Sequence, residues 1–348
     1  MSWLKRSWRS NFLIKLRSWE YWPFGVVYAP VFVYWIWLSL KARSIFFFSA
    51  SNPSIENGGM LGESKMKIFD LIPEEFKPVT LSFNRESSVE TVKNGMKASN
   101  LSYPVIVKPD IGERGWMVRK IGNDSDLETY VNEVPVRFLV QQFLDMPIEM
   151  GVFYYRYPDE QHGEVTSIVI KEMLSITGDG TSTLGELVYN NDRAKLQLDQ
   201  LKEIYIQEWD RVIPKNDNLE LVSIGNHCLG TKFLNGNRLI NEKLNRTFDS
   251  ISEKIKGFYF GRYDIRVQNI EQLYQGKIKI MELNGAGAEP AHIYDPGFPF
   301  FRGVGVLLKH WHILYNISVQ NHKKGVPYLS WKQGMVEYAK VRALNKLK

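Results

Sequence analysis

GRYDIRV at 261–267, followed at 280–290 by IMELNGAGAEP, is the stretch that decides how this 348-residue chain folds. Asp264 lies on one expected strand. Glu282 and Asn284 lie on the next, two residues apart. Side chains two apart on a strand point to the same face, so an antiparallel hairpin would gather three oxygen ligands on one side. Hard oxygen ligands in a partly open cluster suit Mg²⁺ held jointly with phosphate oxygens. Arg262 and Arg266 flank Asp264 two residues to either side. Local ion pairing is therefore the competing explanation of these charges.

Working outward, the preceding body reads as α+β, with antiparallel sheets and interspersed helices. YPVIVKPD (103–110) is a β-rich run that carries Lys108 into the loop IGERG, and MVRKI (117–121) reads as its paired strand. DSDLETYVNEV (124–134) reads as a helix, FLVQQFL (138–144) as a strand, and MGVFYYRYP and EVTSIVIKEML as two longer strands joined by a turn at 159–163. Helices are expected in TLGELV, across 190–210 and in FDSISEKI (248–255).

Lys108, at a strand end beside Gly112 and Gly115, can meet phosphate oxygens, as can the backbone N–H groups of such a loop. A solvated lysine beside a hairpin is the bland alternative. IGERG matches neither the Walker pattern nor GxGxxG. In QQFLDMPIE the strand edge at Phe143 and Leu144 can offer backbone atoms to an adenine edge. Glu149 could accept both ribose hydroxyls or be a surface carboxylate. His292 and Asp295 follow the metal strand in AEPAHIYDPG. His292 reads either as a general base or amine-positioning group, or as a loop histidine bonded to backbone. No HxxxH or CxxC spacing is present, so no zinc site is expected.

The charge is unevenly spread. Residues 1–50 hold seven Lys and Arg against Glu20 alone, and residues 321–348 hold seven against Glu337. The chain total is +6, so the intervening body is acidic. Basic ends of this kind serve nucleic acid or an anionic membrane surface, and the N-terminal sequence favours the membrane. Leu4, Trp8, Phe12, Leu16 and Trp19 form one helical face, with Lys5, Arg6, Arg9, Lys15 and Arg17 filling much of the rest. A basic, Trp-rich amphipathic helix reads as lying in a bilayer interface. Residues 21–40 then contain no charged side chain. Pro23, Gly25 and Pro30 interrupt this run, favouring a bent or re-entrant form and a monotopic anchor over a single span, on the cytoplasmic side. Cys228 is the only cysteine, which excludes an internal disulfide and fits a reducing compartment.

Taken in order, these segments resemble the ATP-grasp superfamily of carboxylate–amine ligases, of the cyanophycin-synthetase and D-Ala–D-Ala-ligase kind, over about residues 85–315. VIVKPDIGERG resembles the strand–lysine–glycine-rich loop, VQQFLDMPIE the adenine hinge and ribose acid, and GRYDIRV with IMELNGAG the metal hairpin. TGDGTSTLGELV is similar to a segment of cyanophycin-synthetase-type members. The resemblance implies two α+β lobes gripping ATP, preceded here by a hydrophobic helical segment. With the readings of the two ends, this divides the chain into an anchor (1–50), a connector (51–84), an N-lobe (85–145), a C-lobe with the metal hairpin (146–320) and a basic C-terminal helix or tail (321–348).

Carried over to this chain, the resemblance gives Lys108 and Lys171 to the phosphates, Gln142, Phe143 and Leu144 to adenine, and Glu149 to ribose. Asp264, Glu282 and Asn284 would hold Mg²⁺, in two ions bridged by Glu282, with Mn²⁺ as a substitute. Arg262 would stabilise charge on an acyl phosphate or tetrahedral intermediate. The implied reaction joins a carboxylate to an amine through an acyl phosphate, on small-molecule or lipid-linked substrates, with no nucleic-acid partner. Phosphate transfer to a small acceptor, or a non-catalytic nucleotide-binding membrane protein, are the rival readings. The chain departs from the family at Gln142, where an acidic residue is common, and in having only about 80 residues before the grasp where a substrate-binding lobe usually stands.

Overall fold

The computed structural model describes residues 10–113 and 115–347. Of the expected amphipathic helix, Leu4, Lys5, Arg6, Trp8 and Arg9 lie outside the described residues, as do Arg114 and Lys348. The described part is a helix, Asn11–Arg17, capped by the Ser10 side chain, then a single turn at Trp19–Tyr21.

In chain order the strands are β1 (Thr80–Phe83), β2 (Val105–Pro109), β3 (Arg119–Ile121), β4 (Phe138–Gln142), β5 (Ile148–Tyr155), β6 (Glu164–Glu172), β7 (Ser175–Thr177), β8 (Asn218–Glu220), β9 (Lys232–Asn235), β10 (Phe260–Val267) and β11 (Lys279–Asn284). They form two antiparallel sheets, in the orders β1-β4-β2-β3 and β11-β10-β5-β6-β9, and a small pair, β7-β8. This is the two-lobed α+β body that the resemblance implied, preceded by a hydrophobic helix. β1 comes from the 51–84 connector and pairs with β4, so part of that stretch belongs to the first sheet.

Period-2 burial sorts each sheet into a core face and a site face. In β2, Val105 and Val107 pack under helices Val89–Ala98 and Asp124–Glu133, which sends Ile106 and Lys108 to the other side. In β10, Tyr263, Ile265 and Val267 pack on helix Glu242–Glu253 through Phe248 and Ile251, which turns Arg262, Asp264 and Arg266 to the opposite face. The helix over 124–133 is capped by Asn123 and not by the Asp124–Ser125 pair, because the asparagine oxygen reaches the N–H of Asp126. Residues 190–210 break into two short helices, Asp192–Lys195 and Leu198–Ile204, over the small β7-β8 sheet.

The uncharged run 21–40 forms one continuous helix, Phe24–Ala42, with Pro30 inside it, and not a re-entrant segment. Pro23 sits at its N-cap, where a missing N–H costs nothing, and Pro30 is absorbed within it. Its 19 residues are about 29 Å long at 1.5 Å per residue, close to the thickness of a bilayer's hydrocarbon core. One face is spent on the body: Val31 and Leu38 are fully buried, in the packing made with Leu307, Ile313, Leu314 and Ile317 of helix Phe300–Lys323. The other face leaves Phe32, Val33, Ile36, Trp37 and Leu40 exposed.

Candidate nucleotide and metal site

The β10–β11 register pairs Asp264 with Glu282 and Arg262 with Asn284. On the other side β10 pairs Asp264 with Gly151 and Arg266 with Glu149, and Glu149 in turn pairs with Lys171 of β6. Asp264, Glu282, Asn284, Arg262, Glu149 and Lys171 therefore converge on one face. Gly151 makes room for them: a Cβ there would lie 3.1 Å from both the Arg262 Cδ and an Asp264 oxygen, and 2.8 Å from Val169.

Asp264 is the hub. Arg262 donates to both of its oxygens, at 3.1 and 3.0 Å, Asn284 Nδ2 donates at 3.0 Å, and Lys171 Nζ stands 3.4 Å away. Burial raises the Asp264 carboxyl, but the charges of Arg262 and Lys171 outweigh it and hold the group below the usual carboxylate range. Glu149 is the second hub: Lys171 donates at 3.0 Å and Arg266 at 2.9 and 3.1 Å. Arg266 also donates to the Leu144 and Met146 carbonyls, which ties the hinge loop to β10. Burial works against the charge of Lys171 too, yet Asp264 and Glu149 overcome it and raise its pKa.

Lys108 reaches across from the first sheet. Its Nζ donates to Gln141 Oε1 and to the Met281 carbonyl of β11, both at 3.1 Å, so it bridges the lobes beside Glu282. Burial pushes its pKa down to about 8. A phosphate placed there would favour the charged ammonium and raise that pKa again. Nucleotide binding at pH 8 and above is accordingly expected to take up a proton. Calorimetric heats measured in two buffers of different ionisation enthalpy check this, and Lys108→Met should abolish the uptake.

At the hinge, Gln142 ends β4 and Phe143 and Leu144 lie in the following loop. Lys120 sits over the Phe143 ring at 4.2 Å, and a cavity of about 450 Å³ lined by Val79, Lys120, Gln142, Phe143 and Asp145 opens beside them. A larger cavity of about 1040 Å³ lies elsewhere, between helix Glu242–Glu253 and Glu75–Phe76, and holds none of these site residues.

Among the described residues no three His, Cys, Asp or Glu side chains form a metal-holding group, so a cation would rely on two carboxylates and one amide. That donor set fits a hard cation. The four contacts on Asp264 take up its four lone-pair positions. Cation binding thus requires Asn284 to turn its amide oxygen inward and Lys171 to swing away.

His292 has no recorded contact with the Asp264 hub among the described residues: its Nδ1 is 2.7 Å from the Ser167 hydroxyl on β6, and the backbone of Ser167 lies two strand spacings, about 10 Å, from that of Arg262 on the same face of the sheet. Burial pushes His292 and the neighbouring His310 down to about 4. A folded-state pKa below the unfolded value means the unfolded chain binds more protons as pH falls from 6.5 toward 4, so stability is lost across that window. Each histidine accounts for about 3 kcal/mol of that loss at 1.36 kcal/mol per pKa unit. Urea midpoints at pH 7 and 4.5 check this: His310→Gln should shrink the difference between them.

Sequence reasoning missed Lys65, Glu289 and Tyr28. Lys65 lies 3.7 Å from Glu282 and donates to the Gly112 carbonyl at 2.5 Å. Arg262 Nη1 donates to the Glu289 backbone carbonyl at 3.3 Å, and the Glu289 carboxylate accepts from Tyr28 and Tyr294. Tyr28 belongs to the apolar helix, so that helix reaches the residue whose backbone carbonyl accepts from Arg262. The contact spans 261 residues of chain, and no local pattern announces it.

No protein-family model matches the chain, and no curated protein matches it. Among solved structures it is similar to the VanG D-Ala:D-Ser ligase from Enterococcus faecalis, at 15% identity and a TM-score of 0.42, over 73% of this chain and 61% of that one. It is similar to the D-alanine–D-alanine ligase from Bacillus anthracis, at 13% identity and a TM-score of 0.42, over 75% and 69%. It is also similar to a bifunctional glutathione synthetase from Pasteurella multocida, at 15% identity and a TM-score of 0.36, over 70% and 36%. The match thus spans about three fifths of the VanG ligase and about a third of the synthetase.

Proposed function

We propose that the chain is an ATP-dependent carboxylate–amine ligase that uses Mg²⁺, works through an acyl phosphate and docks on the cytoplasmic face of a membrane. The observation that carries this reading is the convergence of Lys108 from one lobe with Lys171, Arg262, Asp264, Glu282 and Asn284 on one face of the other. In this reading Lys108 and Lys171 hold phosphate oxygens. Phe143 and Leu144 present backbone atoms to adenine, the Gln142 carbonyl accepts from the adenine amino group, and Glu149 shares its oxygens with ribose. Bound through Asp264, Glu282 and Asn284, Mg²⁺ supplies neutralisation of phosphate charge.

A substrate carboxylate oxygen attacks the γ-phosphorus, and the bond to ADP breaks. The amine nitrogen then attacks the acyl carbon, phosphate leaves and the amine proton is lost. Arg262, aimed by its two-pronged contact with Asp264, faces the charge that develops. The contact of Tyr28 with Glu289 brings the apolar helix to this same end, which supports a lipid-linked or envelope-derived substrate.

The test is ADP release by purified protein with Mg²⁺ and pools of carboxylates and amines, with hydroxylamine as a trap. A hydroxamate is expected. Phosphorylated product without hydroxamate would make the chain a phosphotransferase, and no nucleotide binding would overturn both enzymatic readings.

A further inference from the structure

Glu20 is a buried carboxylate that no step of this reaction uses. It sits in the single turn between helices Asn11–Arg17 and Phe24–Ala42, and its side chain is 5% exposed. Arg193 Nη2 donates to both of its oxygens at 2.9 Å, and His227 Nε2 lies 2.8 Å from one of them. The Tyr21 ring covers both partners, 5.4 Å from the Arg193 guanidinium and 5.7 Å from the His227 ring. The same turn is pinned by Trp19, whose indole donates to the Phe298 carbonyl and packs against Gly303.

The partners of Glu20 belong to, or hold, the segment 224–231. Arg193 Nη1 donates to the Thr231 carbonyl at 3.3 Å, and His227 is part of the segment itself. The segment closes on itself: Thr231 Oγ1 donates to the Ile224 carbonyl, Thr231 N to the Asn226 carbonyl, and Cys228 N to the Asn226 side chain. These bonds tie its two ends together. Its other end lies on the nucleotide site. A Cβ on Gly225 would fall 2.1 Å from Glu149 Oε1 and 2.9 Å from Lys171 Cδ. Asn226 touches the glycine-bearing loop so closely that a Cβ on Gly115 would lie 2.6 Å from its Nδ2. Only one residue separates Gly225, over the proposed ribose and phosphate contacts, from His227 on Glu20.

We propose that Glu20 is a positioning residue that latches the 224–231 strap over the nucleotide site, so that docking the N-terminal helices on a bilayer and closing the strap are one coupled equilibrium. The proposal rests on the ligase reading for the identity of the nucleotide, and not for the latch itself. Glu20 is carried between the two helices whose exposed apolar side chains face away from the body, Phe12 and Leu16 on one and Val33, Ile36 and Leu40 on the other. A bilayer that fixes those helices fixes the turn between them. By linkage, vesicles that favour the latched state tighten nucleotide binding by the same factor that nucleotide tightens vesicle binding.

The experiment uses the full chain, Mg-ATP and vesicles of phosphatidylglycerol and phosphatidylcholine. Hydrogen exchange at 224–231 and the Kd for Mg-ATP are measured with and without vesicles. Wild type should exchange more slowly and bind ATP about fivefold more tightly on vesicles. Glu20→Gln should speed strap exchange, raise the Kd about tenfold and remove the vesicle effect, while β10 and β11 amides stay protected. Arg193→Met should do the same, and the double variant should lose no more than either. Glu20→Asp keeps the charge and should recover part of the affinity, which separates a latch from a general loss of fold. Glu242→Gln, at an exposed ion pair with Arg246, is the control expected to change nothing. Unchanged strap exchange in Glu20→Gln overturns the latch, and unchanged ATP affinity on vesicles overturns the coupling. If wild type binds no ATP, the ligase reading fails, while strap exchange without nucleotide still decides the latch.

Discussion

Asp264→Asn should lower ADP release by about three orders of magnitude and lower the melting temperature by several degrees, while Glu282→Gln should lower ADP release without moving the melt. The two carboxylates face each other across the β10–β11 ladder, but their surroundings differ. Asp264 is buried and answers Arg262, Lys171 and Asn284 at once. Taking its charge away leaves a guanidinium and an ammonium short of a partner in a buried site. Removing one member of a buried ion pair costs about 3–5 kcal/mol. Asparagine keeps one acceptor oxygen, so the lower end of that range applies.

The loss of activity has a separate origin. Without the two-pronged anchor, Arg262 keeps one acceptor at position 264 and its contact with the Glu289 carbonyl, and its guanidinium is no longer held in one orientation. Loss of one aimed donor of this kind costs about 10²–10³ in rate, and loss of a cation ligand adds to it. Glu282 is a third exposed and its recorded ion pair, with Lys65, is 3.7 Å long. Its loss costs the fold less than that of Asp264, because Lys65 and Lys108, the ammonium groups beside it, keep the Gly112, Gln141 and Met281 oxygens as partners. Thermal melts beside ADP-release rates separate the two effects. Near-wild-type ADP release by Asp264→Asn would remove this cluster from the reaction.

What the sequence made legible follows from short-range rules. Asp264, Glu282 and Asn284 could be placed together because β10 and β11 are close in sequence and each alternates with period 2. Lys108 was legible as a strand-end lysine beside the glycine-bearing loop, and the structure buries it on the face of β2 opposite Val105 and Val107. The state of those groups was not legible. That Lys171 serves Glu149 and Asp264 together depends on β5 lying between β6 and β10, a strand order set by distant packing. The Glu20 contacts with Arg193 and His227 join residues 173 and 207 apart. The prolines in 21–40 misled for a local reason. One falls at the N-cap, and the cost of the other is met by burying one side of the helix on Phe300–Lys323.

In the membrane-docked reading, that buried side sets how the helix would meet a bilayer. A single span would strip Val31 and Leu38 from Leu307, Ile313, Leu314 and Ile317, and would pull Tyr28 away from Glu289. Lying on the surface keeps all of these contacts and offers the bilayer Phe32, Val33, Ile36, Trp37 and Leu40. Full burial of a large apolar side chain contributes about 1.5–3 kcal/mol. Five such groups, already about half buried, give roughly 4–8 kcal/mol, or about a thousandfold or more in partitioning. Val33→Glu with Ile36→Glu should therefore move the protein from vesicle pellet to supernatant. High salt should weaken wild-type binding only partly, because it screens Lys15, Arg17, Lys41 and Arg43 but leaves apolar insertion intact. In a Cys228→Ser background, single cysteines placed at Ser10 and Ser44 flank the helix. A surface-lying helix exposes both to a membrane-impermeant thiol reagent from the same side of sealed membranes. Labelling of the two from opposite sides would establish a span, which is incompatible with the Tyr28–Glu289 contact.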